Sequence, residues 1–342
     1  MFKTLNVEIS RQTMANWMVT SAFKLKKLYA LLKKELLLCK AIGIDETVLQ
    51  VIKEPDRSAK DQSFMWHMRG SPVYENVDPE KPPDEKGGFI KNKSVCYFEY
   101  RTGRSAGFLE DLLKEYRGAV ITDGWESYAA LQKKIKFIHA GCWAHARRYF
   151  YKVYEKDKQE KTAEEFLRLI GKLFRLEKIY KKTFAKSVLF AEKRLKARRR
   201  FSRPVVKRIE NLLREKRGAY PPKSGMGSAI EYLQNQWAKL VVFLENGHAP
   251  LDNNAVENGI RPFVIGRKNW LFSFTPNGAF ASALLYSLVE TAKANGMNPY
   301  DYLLYLFEKF PFAKTESEMQ ALLPNRVDPK TVEEFCVAYG QV

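Results

Sequence analysis

The chain has 342 residues, 45% of them hydrophobic, enough for one large domain with an insertion or for two domains. Lysine and arginine number 58 against 39 acidic residues, a formal net charge of +19, and this surplus favours a polyanionic partner, nucleic acid first. No run is long and apolar enough to span a bilayer, and the opening MFKTLNVEISRQ lacks the basic-then-apolar order of a signal peptide, so a cytoplasmic protein without membrane contact is expected.

Residues 10–39 read as one long amphipathic helix. Ser10 supplies an N-cap, and Leu25, Leu28, Leu31, Leu32, Leu36 and Leu37 recur every three or four residues along one stripe. A β-rich block follows, with strands expected at 41–52, 63–70 and 94–101. The stretch between the last two (71–93) is rich in proline and lysine and reads as a loop. A helix is expected at about 105–116. The run GAVITDGW (118–125) reads as a short buried strand ending on Asp123, and KFIHAGCW (136–143) as one more strand leading into the basic helix HARRYFYKVYEK.

From about 160 to 245 the periodicity is helical, with a linker at 221–228. The arginines at 198–200 are expected on the surface of this segment, where they could clamp phosphates. A mixed α/β pattern is expected to return after His248, and the chain from about 279 onward reads as helical with a polar tail.

Carboxylates within apolar strands carry the chemical signal. Asp45 lies mid-run in a strand, where burial is costly unless the group is paired or metal-bound. Asp123 projects from a strand end, the place where α/β folds hold ligands. In LDNNAVENGIRPFVIGRKNW, Asp252 can cap a helix on which Asn253, Asn254 and Glu257 share a face. Arg261, four residues beyond Glu257, can steady it, and Pro262 should bend or end the helix. Asp45, Asp123 and Glu257 together give the parts of a phosphoryl-transfer site that holds Mg²⁺, with Mn²⁺ able to substitute. For each segment alone, an ordinary turn or cap acid is an equally good reading.

The four cysteines (Cys39, Cys96, Cys142 and Cys336) form no CxxC pair, which argues against a disulfide framework and against a zinc site built from paired cysteines. Cys142 and His145 in CWAH invite a zinc reading, but no matching pair stands near them in sequence, so a structural role is expected. Arg147 and Arg148 could reach phosphate. Arg267, Lys268 and Trp270 combine two cations with an aromatic ring, which suits backbone contact and base stacking; Trp270 reads equally well as core.

The blocks IGIDETVLQV, ITDGWESY, HAGCWAHARRYF, LDNNAVENGIRPFVIGRKNWLFS and SLVETAKANGMNPYDYLLYL resemble those of the insertion-sequence-66 family of bacterial transposases. They stand in the family's order from about Ser10 to Leu323. The resemblance implies an α/β, ribonuclease-H-like core with a mixed sheet, interrupted by a helical insertion and flanked by N- and C-terminal helices. It implies an Asp–Asp–Glu triad at Asp45, Asp123 and Glu257, with Asn254, Arg261 and the basic residues above against DNA. After that glutamate the family often has Arg–Ala, where this chain has Asn258 and Gly259.

On this reading 1–40 is the remnant of a DNA-recognition region with its linking helix, in which Arg11, Gln12, Thr13 and Asn16 resemble part of a groove-entering helix. Residues 41–159 and 248–310 form the catalytic core, 160–247 the insertion and 311–342 a tail. The implied partners are transposon ends and target DNA, a second copy of the chain on paired ends, and accessory proteins of the element. The family's upstream cysteine cluster has no counterpart in these residues. A truncated remnant that only binds DNA, and a nuclease that cuts without joining, therefore stand as alternatives.

Overall fold

A computed structural model describes residues 8–70, 73–76, 89–92, 94–104, 107–124, 126–184, 187 and 189–340. Its fold is α/β, with one mixed five-stranded sheet packed among helices.

Ser10 caps the first helix as expected, its hydroxyl accepting from the Thr13 amide at 3.0 Å. The expected single helix is two: α1 (Arg11–Lys24) and α2 (Lys26–Leu38), separated at Leu25, whose backbone (φ −85°, ψ 7°) leaves the helical region. The leucine stripe buries Leu25, Leu28, Leu31, Leu32 and Leu36, each contributing about 1.5–3 kcal/mol of burial. On α1, Arg11, Gln12 and Asn16 are exposed.

The sheet is built from β1 (Ala41–Gln50), β2 (Gln62–Gly70), β5 (Val95–Arg101), β6 (Ala119–Thr122) and β7 (Ile138–Gly141), in the order β5-β2-β1-β6-β7. β1 pairs antiparallel with β2 and parallel with β6, and β6 pairs parallel with β7. Part of the expected loop at 71–93 is a hairpin of β3 (Val73–Asn76) and β4 (Phe89–Asn92); the rest of that expectation lies outside the described residues. α3 (Gly107–Leu113) and α4 (Glu126–Lys134) flank β6 in sequence.

The edge strand β5 is covered by side chains. On α11 (Pro276–Ala294), Ser287 accepts from the Phe98 amide at 2.8 Å. Thr291 both accepts from the Cys96 amide and donates to the Cys96 carbonyl, each at 2.9 Å, so the edge is satisfied without another strand.

A second core belongs to the helical segment. It gathers Phe150 of α5 (Trp143–Lys156), Phe166, Ile170 and Leu173 of α6 (Lys161–Phe184), Ile209 of α8 (Arg203–Glu215), and Leu233 of α9 (Gly225–Leu240). Between α7 (Phe190–Ala197) and α8 the chain makes a five-residue π-helical turn that carries Arg198 inward. Arg198 is not a surface residue. It is 0% exposed, grips Glu177 with two bonds of 2.6 and 2.8 Å, and donates to the carbonyls of Phe243, Asn246 and Ala249. Arg199 is exposed and pairs with Glu245.

Beyond His248 the described residues are helical rather than mixed. Their only strand-like feature is a single bridge between Val51 and Ser273. α10 (Asn254–Trp270) runs through Pro262, which falls inside the helix without ending it. α12 (Pro299–Lys309), α13 (Glu316–Ala321) and α14 (Pro329–Tyr339) complete the chain, with Tyr302, Leu306 and Leu323 joining the sheet's main core.

Candidate active site

Strand alternation and register bring the two aspartates together. Gly43 and Asp45 lie two apart on β1 and so share a face. Gly43 pairs with Ile121 of β6, and two residues further along each chain stand Asp45 and Asp123. β6 ends at Thr122, and Gly124, at φ +96°, turns the chain away immediately after Asp123. The Tyr232 hydroxyl of α9 holds the Asp123 carbonyl at 3.0 Å.

Asp45 is a destabilised anion. Its carboxyl is pushed up to about 7 by burial first, then by the neighbouring charge of Glu46, and further by Asp123 and Glu257; a 2.9 Å bond from the Glu46 amide only partly opposes this. Glu46 is itself raised by burial and by Asp123, although Arg104 pairs with it at 2.6 Å.

The third carboxylate arrives on α10, and close backbone approach sets its position. A Cβ on Gly43 would lie 2.3 Å from Val256 and 2.4 Å from Asn253, so glycine there lets the helix start against β1. Asn253, 2% exposed, donates to the Ile44 carbonyl at 3.0 Å. Its role is to dock the helix, and it does not share an outward face with Asn254. Asp252 was expected to cap the helix, but the capping position falls to Asn253, which makes no side-chain cap hydrogen bond; Asp252 instead holds the Asn254 amide at 2.9 Å from one residue upstream. His67 of β2 is buried, held neutral by burial that lowers it to about 3, and shares a 3.0 Å hydrogen bond with the Val256 carbonyl.

Glu257 therefore enters from the first turn of α10 toward the first turn of α5. Arg148 donates to its Oε2 at 3.1 Å, and His145 Nδ1 lies 3.7 Å from its Oε1. Arg261 was expected to steady Glu257, but no ion pair joins them among the described residues; Arg261 points to solvent, and Arg148 takes that part from a different helix. The two helix starts are tied together: the Trp143 amide donates to the Leu251 carbonyl at 3.1 Å, and the Asn253 amide to Cys142 Sγ at 3.2 Å. Two helix N-termini, each with partial positive charge, thus converge on the acidic cluster.

The remaining polar and aromatic candidates divide by environment. Arg147, Arg148, Asn254, Arg261 and Lys268 are exposed. Arg267 is bound to β1, donating to Thr47 at 2.9 Å and to the Val48 carbonyl. Trp270 packs edge-on against the buried Phe263 at 5.3 Å. Just past it, Leu271 is 62% exposed at φ +64°, a conformation β-carbon-bearing residues rarely adopt.

Two residues beside the acids were not assigned to their site from sequence. Glu46 follows Asp45 directly, and strand alternation alone would send it to the opposite face. His145 was weighed only with Cys142. The usable signal was its spacing of three from Arg148, which puts both on one side of α5.

The model of the transposase IS66 family matches residues 1–281, and that of the IS66 C-terminal element matches residues 287–324. The chain belongs to the IS66 transposase family. Its relatives include two proteins of Sinorhizobium fredii (strain NBRC 101917 / NGR234), each bearing the description uncharacterized protein. One, y4qI, is 27% identical over 95% of this chain and 58% of its own length; the other, y4jD, is 26% identical over 94% and 60%. The chain thus spans about three fifths of the relatives it matches. In this IS66 family member, all three carboxylates and the α5 and α10 helix starts lie within the matched residues 1–281. No helix among the described residues is long and apolar enough to cross a membrane.

Proposed function

We propose that this IS66 family member cuts and joins DNA strands, with Asp45, Asp123 and Glu257 as a divalent-metal-binding triad. The observation that carries the reading is the meeting of three carboxylates: Asp45, part-buried and raised to about 7 by burial first and by Glu46 next, also feels the charges of Asp123 and Glu257. Glu257 Oε1, buried and without a hydrogen-bond partner, fits a cation ligand. Oxygen donors of this kind suit Mg²⁺ or Mn²⁺. Such ions, when bound, activate an attacking hydroxyl and stabilise a leaving oxygen.

The chain's own groups do the remaining work. Asp45 and Asp123, on neighbouring parallel strands, set the spacing of the donors, while α10 brings Glu257 across from the other side. Arg147 and Lys268, exposed on α5 and α10, are placed to take up the flanking phosphates with the helix starts. The order β5-β2-β1-β6-β7, with β2 alone antiparallel to both its neighbours, supports a ribonuclease-H-like core. Transposon ends and target DNA are the substrates on this reading, and a second copy of the chain together with accessory proteins of the element would complete the assembly.

The test is supercoiled plasmid with Mg²⁺ or Mn²⁺, followed for nicking and joining on a gel beside Asp123→Asn and Glu257→Gln. Metal-dependent cleavage by the wild type that both variants lose is the expected result. Cleavage that the variants retain would remove the triad from the chemistry.

A further inference from the structure

Zinc-type coordination of Cys142 and His145 lacks a partner in sequence, but the fold supplies one. Cys142 caps the start of α5, His145 lies one turn on, and Glu257 comes from the first turn of α10. One donor atom from each, Sγ, an imidazole nitrogen and a carboxylate oxygen, lie within 4.8 Å of one another. The 3.7 Å between His145 Nδ1 and Glu257 Oε1 is too long for a hydrogen bond, and both atoms are buried with no hydrogen-bond partner among the described residues. Two ligands about 2.0–2.1 Å from a tetrahedral ion stand about 3.4 Å apart, so the gap needs only a small closure to hold one.

We propose that Cys142, His145 and Glu257 form a three-ligand site for a zinc-class divalent ion. Thiolate and imidazole select a borderline-soft ion over Mg²⁺, which prefers oxygen. Three protein ligands leave the fourth position open to water. The Asn253 amide, 3.2 Å from Cys142 Sγ, would stabilise the thiolate.

Arg148 lies 3.4 Å from His145 Nε2 and 3.1 Å from Glu257 Oε2. It is half exposed and can turn outward as the ion replaces its charge. On binding, the thiol proton leaves for solvent, the imidazole proton passes from Nδ1 to Nε2, and both donors face the ion. One consequence rests on the function proposed above: the ion occupies the same Glu257 that the Asp–Asp–Glu set uses, so zinc acts as an antagonist of Mg²⁺-dependent cleavage.

Co²⁺ is the probe, titrated into the full chain without DNA. The site predicts a thiolate-to-cobalt absorption band in the near ultraviolet that saturates at one ion per chain. Zn²⁺ should displace it and excess Mg²⁺ should not. Cys142→Ser should abolish the band and His145→Ala should weaken binding by roughly tenfold or more, while Asp45→Asn and Asp123→Asn keep it. His145→Ala carries the test if Cys142→Ser fails to fold. No band in the wild type, a band unchanged by Cys142→Ser, or affinity unchanged by His145→Ala overturns the site. None of these results bears on cleavage, so failure here and failure of the strand-transfer reading are separate outcomes.

Discussion

The ring of His67 fills the space that a side chain at position 259 would need. A Cβ on Gly259 would lie 2.3 Å from His67 Cε1, with the rest of the ring close behind. Strand β2 thereby fixes how closely α10 can lie, and Glu257 sits half a turn upstream on that helix. Gly259→Ala should force ring or helix to move, at a cost of about 1–3 kcal/mol, and should weaken divalent-ion binding by displacing Glu257. Urea unfolding and Mn²⁺ binding would read the two effects. Unchanged values for both would mean that the helix adjusts freely.

That contact also marks what the sequence could and could not disclose. The strands around Asp45 and Asp123 were legible because short apolar runs bounded by turn residues have few other readings. Parallel neighbourhood of β1 and β6 was not, since pairing across such a distance depends on tertiary packing. The roles of Asn253, Gly43 and Gly259 were hidden because each acts through a partner far off in the chain. Arg198 was misread for the same reason: a run of three arginines looks solvated until a π-turn carries the first of them onto Glu177. Of the two outcomes expected at Pro262, bending or ending the helix, ending does not occur: proline removes one backbone bond, and α10 continues through it, packed on β1 and β2.

Asp45 should lower stability above neutral pH. Its folded-state value of about 7 lies above the roughly 3.9 of an unfolded aspartate, so the folded chain binds the extra proton between those limits. Its contribution is most favourable below about pH 4, declines as pH rises, and is fully lost above pH 7. Asp45→Asn should therefore raise the melting temperature at pH 8 and change it little at pH 4. A variant less stable than wild type at pH 8 would contradict a cost of burying the Asp45 anion.

Two buried histidines act with the opposite sign over nearly the same range. His67 and His139 are both lowered to about 3, by burial first, so the folded state holds them neutral. The unfolded chain protonates them below about pH 6.5, and stability should fall with acidification by up to about 1.4 kcal/mol per pH unit for each histidine. His67→Gln should flatten the slope of unfolding free energy against pH between 6 and 4. An unaltered slope would place the acid sensitivity elsewhere.

The Arg198–Glu177 pair should be a major determinant of the helical segment. Removing one partner strands a buried charge and, for Arg198, leaves three carbonyls without their donor; such losses cost about 3–5 kcal/mol. Arg198→Ala should lower the urea midpoint strongly. Arg198→Lys should restore little, because an ammonium cannot reproduce the two-pronged grip on Glu177 together with the carbonyl bonds. Recovery by lysine to near wild type would reduce the interaction to simple charge.

Arg148 connects the protein part of the site to its proposed ligands. Its bond to Glu257 supplies a positive charge where the carboxylate would otherwise hold a cation, so guanidinium and metal compete for one group. Arg148→Ala should bind Mn²⁺ more tightly than wild type, by a few-fold given the pair's partial exposure, with electron paramagnetic resonance of free Mn²⁺ as the measurement. Released from Glu257, the same guanidinium is free to meet phosphate, so the variant should also bind duplex DNA more weakly and with a salt slope shallower by about 0.9. Opposite movements in the two affinities identify an exchange of partners. Weaker binding of both would instead make Arg148 a structural brace for Glu257.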